Sequence, residues 1–247
     1  RIQVDGVRFG STSAGAITVP YVIIGASSQR SMLGGHLDLS GSIQFDVNVV
    51  DQSLINVEEL TFNYGAGPLD FRIGVGDVSW GHSDVRSPVD VMAPRAVFLD
   101  AYNGARLGQP LLGLNAFSQW GDLEAVIFPF PRSPYMGGRL QRTWNGSSVR
   151  SQLGWGESPI GGIRMTRVLG STDIALSYVH GGERTLWISS DRPGEANVLI
   201  PSLRQGGLEV QRALGSVVLH TEGSLAERDG DNEARIVAGA EWYPKPY

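Results

Sequence analysis

Cysteine is absent from the 247-residue chain, so neither a disulfide nor a thiolate takes part in its fold or chemistry. That absence leaves the redox compartment open. Lysine is nearly absent as well: Lys245 is the only one, and the other basic side chains are arginines, a bias that reads as genome composition. Charged residues make up 18% of the chain, below the roughly 25% of a typical soluble domain. The net charge of −5 excludes general affinity for nucleic acid. No apolar run is long enough for a transmembrane helix. No signal peptide is recognisable, and the start on Arg1 rather than a methionine leaves room for a removed upstream segment. Long amphipathic helices are also missing; Ser87 to Met92 fits a single helical turn.

What the chain has in quantity is glycine, 33 residues, with 13 prolines, and between these a strict two-residue alternation. From His36 to Val49 the even positions (His36, Asp38, Ser40, Ser42, Gln44, Asp46, Asn48) are polar and the odd ones apolar or glycine. A period of two is a strand with one wet and one apolar face. Soluble strands usually run about 5–6 residues, whereas a tilted strand crossing a bilayer needs roughly 9–11. The pattern returns at Val57 to Tyr64, Phe71 to Val75, Ile163 to Thr166, Asp173 to Tyr178, Leu208 to Gln211, Val217 to Leu225 and Arg235 to Tyr243. Hairpin-like connections separate these runs at Gly65 to Pro68, Gly170-Ser171, Gly181-Gly182, Leu214 to Ser216 and Asp229 to Asn232. About 12–14 candidate strands result. With no linker or composition break, residues 1–247 read as one domain.

Two long irregular stretches interrupt the pattern, Trp80 to Gly108 and Pro129 to Gly146; loops of such length are usually functional or disordered. A soluble β-sandwich, for instance a carbohydrate-binding domain, also alternates, with its apolar face inward. Three features favour an antiparallel transmembrane β-barrel instead. The strands are long, and their polar faces mix both charge signs with Gln and Asn. Aromatics (Trp80, Trp120, Tyr135, Trp144, Trp155, Trp187, Trp242, Tyr243) sit near strand ends, where amphipathic rings form interfacial girdles.

The catalytic signals are weak. His82-Ser83-Asp84 is too local for a triad, which is assembled from distant segments, and no nucleophile elbow occurs; a barrel-embedded lipid hydrolase is therefore a lesser alternative. A structural loop, with Asp84 and Asp90 paired to Arg86 or Arg95, explains those residues better. His36, His82, His180 and His220 lack metal spacing, and Asp229 to Glu233 lacks the ligand spacing of a calcium loop. No cofactor is expected.

The segment Phe71 to Arg95 resembles a stretch shared by large Gram-negative outer-membrane barrels, a porin-like family of unknown function akin to alginate-export and phosphate-selective porins. The matching positions are Arg72, Gly74, Gly76, Trp80, Gly81, Asp84, Pro88, Asp90, Pro94 and Arg95. Val57 to Phe62 and Gly206 to Glu222 are similar to two further strand regions of that family, and the likeness spans Asn56 to Trp242. It departs at Ala96, where the family often has Asp, and family members tend to be longer. The end Pro244-Lys245-Pro246-Tyr247 makes a poor closing strand. A fragment lacking C-terminal strands, with an open barrel, stays among the readings.

The resemblance implies a non-enzymatic channel in the bacterial outer membrane, passing an unidentified solute by diffusion or export. Its partners would be outer-membrane lipid and either further copies of itself or an envelope transport complex. On the alternation, Arg72, Arg164 and Arg235 share polar faces with carboxylates such as Asp46, Glu59, Glu209, Glu222 and Glu241. In a barrel that face is the lumen, where charges tune selectivity or merely pair and fill the interior. The loop from Trp80 to Arg95, with Asp84, Arg86 and Asp90, is the expected constriction or plug, acting with Arg72, Arg164, Glu222 and Arg235.

Overall fold

A computed structural model describes residues 2–14, 17–46, 54–82, 87–96, 105–132, 148–150, 158–184, 187–192 and 195–243, with side chains over 27–41, 57–82, 87–94, 106–132, 158–184 and 200–243. Its strands are β1 (Ile2–Ala14), β2 (Ile17–Met32), β3 (Gly35–Asp46), β4 (Leu54–Ala66), β5 (Leu69–Gly76), β6 (Arg95–Ala96) and β7 (Ala105–Arg106). Then follow β8 (Gln109–Ser118), β9 (Gly121–Phe128), β10 (Ser148–Arg150), β11 (Ile160–Leu169) and β12 (Thr172–Gly182). The last are β13 (Trp187–Arg192), β14 (Glu195–Leu199), β15 (Ser202–Leu214), β16 (Val217–Arg228) and β17 (Asp231–Trp242). Twelve of them form one sheet in the order β1-β2-β3-β4-β5-β8-β9-β11-β12-β15-β16-β17. Every neighbouring pair in it is antiparallel. Among the described residues β1 and β17 are not paired with each other, and no helix occurs. Ser87 to Met92, the sequence's candidate helical turn, holds only a turn at Pro88-Val89 and a bend.

The two edges of the sheet, at the strand ends, differ. At one, β2–β3, β4–β5, β8–β9, β11–β12 and β15–β16 are each joined by two residues, 33–34, 67–68, 119–120, 170–171 and 215–216. Gly170 and Gly215, with φ of 66° and 64°, supply left-handed backbone there. At the other edge lie the long connections 77–108, 129–159 and 183–201, with the shorter ones 15–16, 47–53 and 229–230. Gly181-Gly182, which the sequence reads as a hairpin turn, instead ends β12, and the long connection 183–201 follows it.

Registered pairing fixes which side chains share a face. One row runs Tyr64, Phe71, Leu114, Ala125, Ile163, Tyr178, Gly206, Leu225 across eight strands. Nothing among the described residues covers it: Leu225 is 71% exposed, and Ile236 on β17 is 77% exposed. The opposite face is the polar one, and its middle is buried. Glu209 and Glu222, cross-strand partners, are 1% and 0% exposed. The distribution is thus inverted relative to a soluble sandwich.

The described residues 77–82 and 87–94 of connection 77–108 fold back over the polar face. Its Trp80, Val89, Val91 and Met92 are buried against Leu111, Val126, Phe128, Ile160, Val179, Leu203 and Ala226 of the strands. Where β8 and β9 run under this segment, both their faces are apolar, because Leu111, Val126 and Phe128 meet the segment while Leu112 and Ile127 stay bare. The single-period alternation fails there for that reason. The predicted strand over His36 to Val49 is present as Gly35–Asp46; residues 47–49 lie outside the described set, as do the side chains of Gln44, Phe45 and Asp46.

Within β15 the two faces predict different mutational costs. Leu203→Ala, at a fully buried position, is expected to lose about 2–5 kcal/mol in denaturant unfolding. Leu208→Ala, on the bare face, is expected to lose well under ~1 kcal/mol in detergent. Equal losses would refute the assignment of faces.

Candidate functional site

The covering segment is held by polar contacts at nearly every step. Beside β5, the Arg72 guanidinium donates to Glu59 at 2.9 Å and to the Asp77 carbonyl at 3.5 Å. Arg106, which ends β7, donates to Asp77 and to Asp90, both at 3.1 Å, and to the Ser79 hydroxyl. The Trp80 indole N–H reaches Glu124 of β9 at 2.8 Å. Its ring lies over Gly162 of β11, where a Cβ would sit 2.6 Å from the ring. A side chain at Gly162 would therefore displace the indole. Further along, Gln205 of β15 donates to the Pro88 carbonyl at 3.1 Å, and Gln109 of β8 donates to that of Met92 at 2.9 Å.

The densest part is a carboxylate pair. Glu222 of β16 accepts the backbone N–H of His82 and the hydroxyl of Ser87. Glu209, opposite it on β15, takes a bidentate bond from Arg164 of β11, at 2.9 and 2.7 Å. The His82 ring lies 3.6 Å from the same Glu209 carboxylate. Two buried carboxylates side by side repel; Arg164 and the donors of the segment offset that repulsion. Without the segment in place, Glu222 would lose the His82 and Ser87 donors.

A separate cluster sits toward β17. Arg228 donates to Glu183 at 2.5 Å and to Glu233 at 2.8 Å, and Arg235 bonds the same Glu233. Arg235 stands in one registered row with Arg164, Ser177, Gly207 and Ser224.

Of the residues singled out by sequence, the structure joins Arg164 and Glu222 through Glu209 and His82, and Arg72 and Asp90 through Asp77 and Arg106. The described partner of Asp90 is Arg106. Ser83, Asp84 and Arg86 lie outside the described residues, as does the Arg95 side chain, although its backbone pairs with Arg106. The aromatic girdle is corrected in one member: Trp80 is 1% exposed, buried between the segment and the sheet. Trp120, Trp242 and Tyr243 are exposed at the short-turn edge, with the Arg167 guanidinium 5.8 Å from the Trp120 ring. Tyr135, Trp144 and Trp155, and the Trp187 side chain, lie outside the described residues.

Sequence reasoning missed Arg106, Glu124, Glu183, Arg184 and Arg228, whose roles come from contacts made across 5 to 45 residues of chain. No cluster of three metal-ligating side chains occurs among the described residues. Burial pushes the Arg132 guanidinium below its ordinary value, and it donates to the Gly108 carbonyl at 3.2 Å.

Glu222→Leu removes the acceptor of two donors and is expected to release the segment. Hydrogen exchange at the His82 amide should then rise at least tenfold, each orphaned donor costing about 1–3 kcal/mol. Unchanged protection would show that Glu222 does not hold it.

No family model matches the chain, and no curated protein matches its sequence. Among solved structures it is similar to a triple mutant of the Rh. blastica porin, at 12% identity and a TM-score of 0.39, over 98% of this chain and 90% of that one. It is also similar to the in-vitro folded trimer form of OmpT, an outer-membrane protein of Vibrio cholerae, at 11% identity and a TM-score of 0.38, over 98% and 84%. Both scores are below 0.5, and the reading of this chain rests on its own two faces and two edges.

Proposed function

We propose that the chain is a porin-like barrel of the bacterial outer membrane, a non-enzymatic channel in which segment 77–94 narrows the passage. The supporting observation is the inverted sheet: an uncovered apolar face backed by a polar face with buried, paired charges. Lipid is the solvent that makes such a face stable, because a contiguous exposed patch this size is a liability in water. The bare face of β15 carries Arg204 and Arg212 around Gly206, Leu208 and Val210. The eight steps from Arg204 to Arg212 at about 3.3 Å each, tilted as barrel strands are, give a band of roughly 20 Å, comparable with the apolar belt of such barrels. Two-residue turns throughout one edge, and all three long connections at the other, follow the same architecture.

Under this reading the polar face is the lumen, and Arg72, Asp90, Arg164, Glu222 and Arg235, with Asp84, Arg86 and Arg95, shape the constriction. Arg164 is locked to a buried carboxylate, so it supports the docked segment; Arg72 and Glu59 are part-exposed and are better placed to meet solute. The protein should extract only with detergent, migrate faster on gels before boiling than after, and give discrete conductance steps in planar bilayers. Solubility without detergent would overturn the membrane reading. Insertion without conductance would favour a plugged scaffold, a reading that the docked segment also supports.

Arg72→Glu places a carboxylate beside Glu59 and is expected to shift ion selectivity toward cations, read as a change in reversal potential under a salt gradient. An unchanged reversal potential in an inserted variant would remove Arg72 from the conducting path.

A further inference from the structure

Five hairpins of the large sheet turn at the short-turn edge, and three of them carry an arginine at the same place. Arg30 of β2, Arg167 of β11 and Arg212 of β15 are each the third residue from the end of a strand that enters a two-residue turn. At that position β4 has Tyr64 and β8 has Ala116. All three arginines are exposed, and all three take apolar-face positions, opposite Leu37, Ile174 and Leu219 on the neighbouring strands. Two further residues, at about 3.3 Å each, separate every one of them from its turn. An arginine covers such a span by laying its stem on apolar neighbours and holding its guanidinium at the water's edge. Arg167 does so: its guanidinium stands 5.8 Å from the ring of Trp120, which belongs to the turn between β8 and β9.

Among the described residues no carboxylate pairs with any of the three. The acidic residues near this edge, Asp70, Asp122, Asp173 and Glu241, alternate onto the polar face. The other edge differs, because its apolar-face Arg204 is met across the strands by Glu227 at 3.7 Å. The described part of the apolar face therefore carries balanced charge at one rim and unpaired positive charge at the other.

We propose that the short-turn rim of the apolar face binds anionic phospholipid, with Arg30, Arg167 and Arg212 at headgroup phosphates and Trp120 and Trp242 beside them at the same edge. Each arginine meets a headgroup of its own, since β12 lies between Arg167 and Arg212 and five strands lie between Arg30 and Arg167. A zwitterionic headgroup brings its own cation to its phosphate; an anionic one does not, so unpaired arginines favour it. The proposal rests on the membrane reading and adds the class of lipid to it.

The test places the full chain in phosphatidylcholine vesicles with a trace of spin-labelled phosphatidylglycerol or spin-labelled phosphatidylcholine. Electron spin resonance reads the motionally restricted lipid for each label, and the anionic label is expected to be favoured at least about twofold. Combining Arg30→Gln, Arg167→Gln and Arg212→Gln should bring that ratio to about one. Lysine at the same three positions keeps the charge and should hold it. Should the glutamine triple not reach the heat-modifiable folded form, its single variants carry the comparison, each lowering the ratio. Arg204→Gln combined with Glu227→Gln removes the ion pair of the opposite rim without altering net charge, and should leave the ratio as in the wild type. A wild type without preference, or glutamine variants that match it, overturns the headgroup proposal and leaves the membrane reading standing, because restricted lipid is still seen. No restricted lipid with either label overturns both.

Discussion

The pairing of buried charge is the constraint on which the remaining structure depends. A sheet with its apolar face outward puts its polar side chains inside, and there each ionised group needs a partner, since an uncompensated buried charge is strongly destabilising. Glu209 finds Arg164, Asp90 finds Arg106, and Glu183 finds Arg228. Such pairing favours arginine, whose planar fork grips both oxygens of a carboxylate, as Arg164 does with Glu209. The scarcity of lysine therefore has a structural use here beyond genome composition.

Segment 77–94 completes the same pairing. Glu124 and Glu222 project from the strands, and the segment brings the Trp80 indole, the His82 amide and the Ser87 hydroxyl to them. In return the strands supply an apolar bed under Trp80, Val89, Val91 and Met92. The arrangement is mixed in character, with ionic anchors around a small dry core, and it sits beside the long-connection edge.

The fold was legible where a strand has lipid-type residues on one face and polar ones on the other throughout. β3, β4, β5, β12, β16 and β17 showed that period plainly. β8 and β9 did not, because the segment resting on them demands apolar residues on the inner face too. The loop was legible as exceptional from its length, its prolines and the residues around Trp80. Its partners were not, since a contact such as Arg106 with Asp90 depends on how the connection folds back on itself. Periodicity reports which way a side chain points; it carries no information on what comes to meet it.

The two kinds of contact in this molecule also set an order in time. Each pairing in the large sheet joins strands adjacent in the chain or separated by one connection, so hairpins can form and add one after another with little loop-closure entropy. The hydrogen bonds of the segment to Glu222 span 140 and 135 residues. They cannot exist until β16 has arrived. The contacts of the segment to Gln109 and Glu124 need only β8 and β9, so the segment can dock in two stages, first on the middle of the sheet and last on β16.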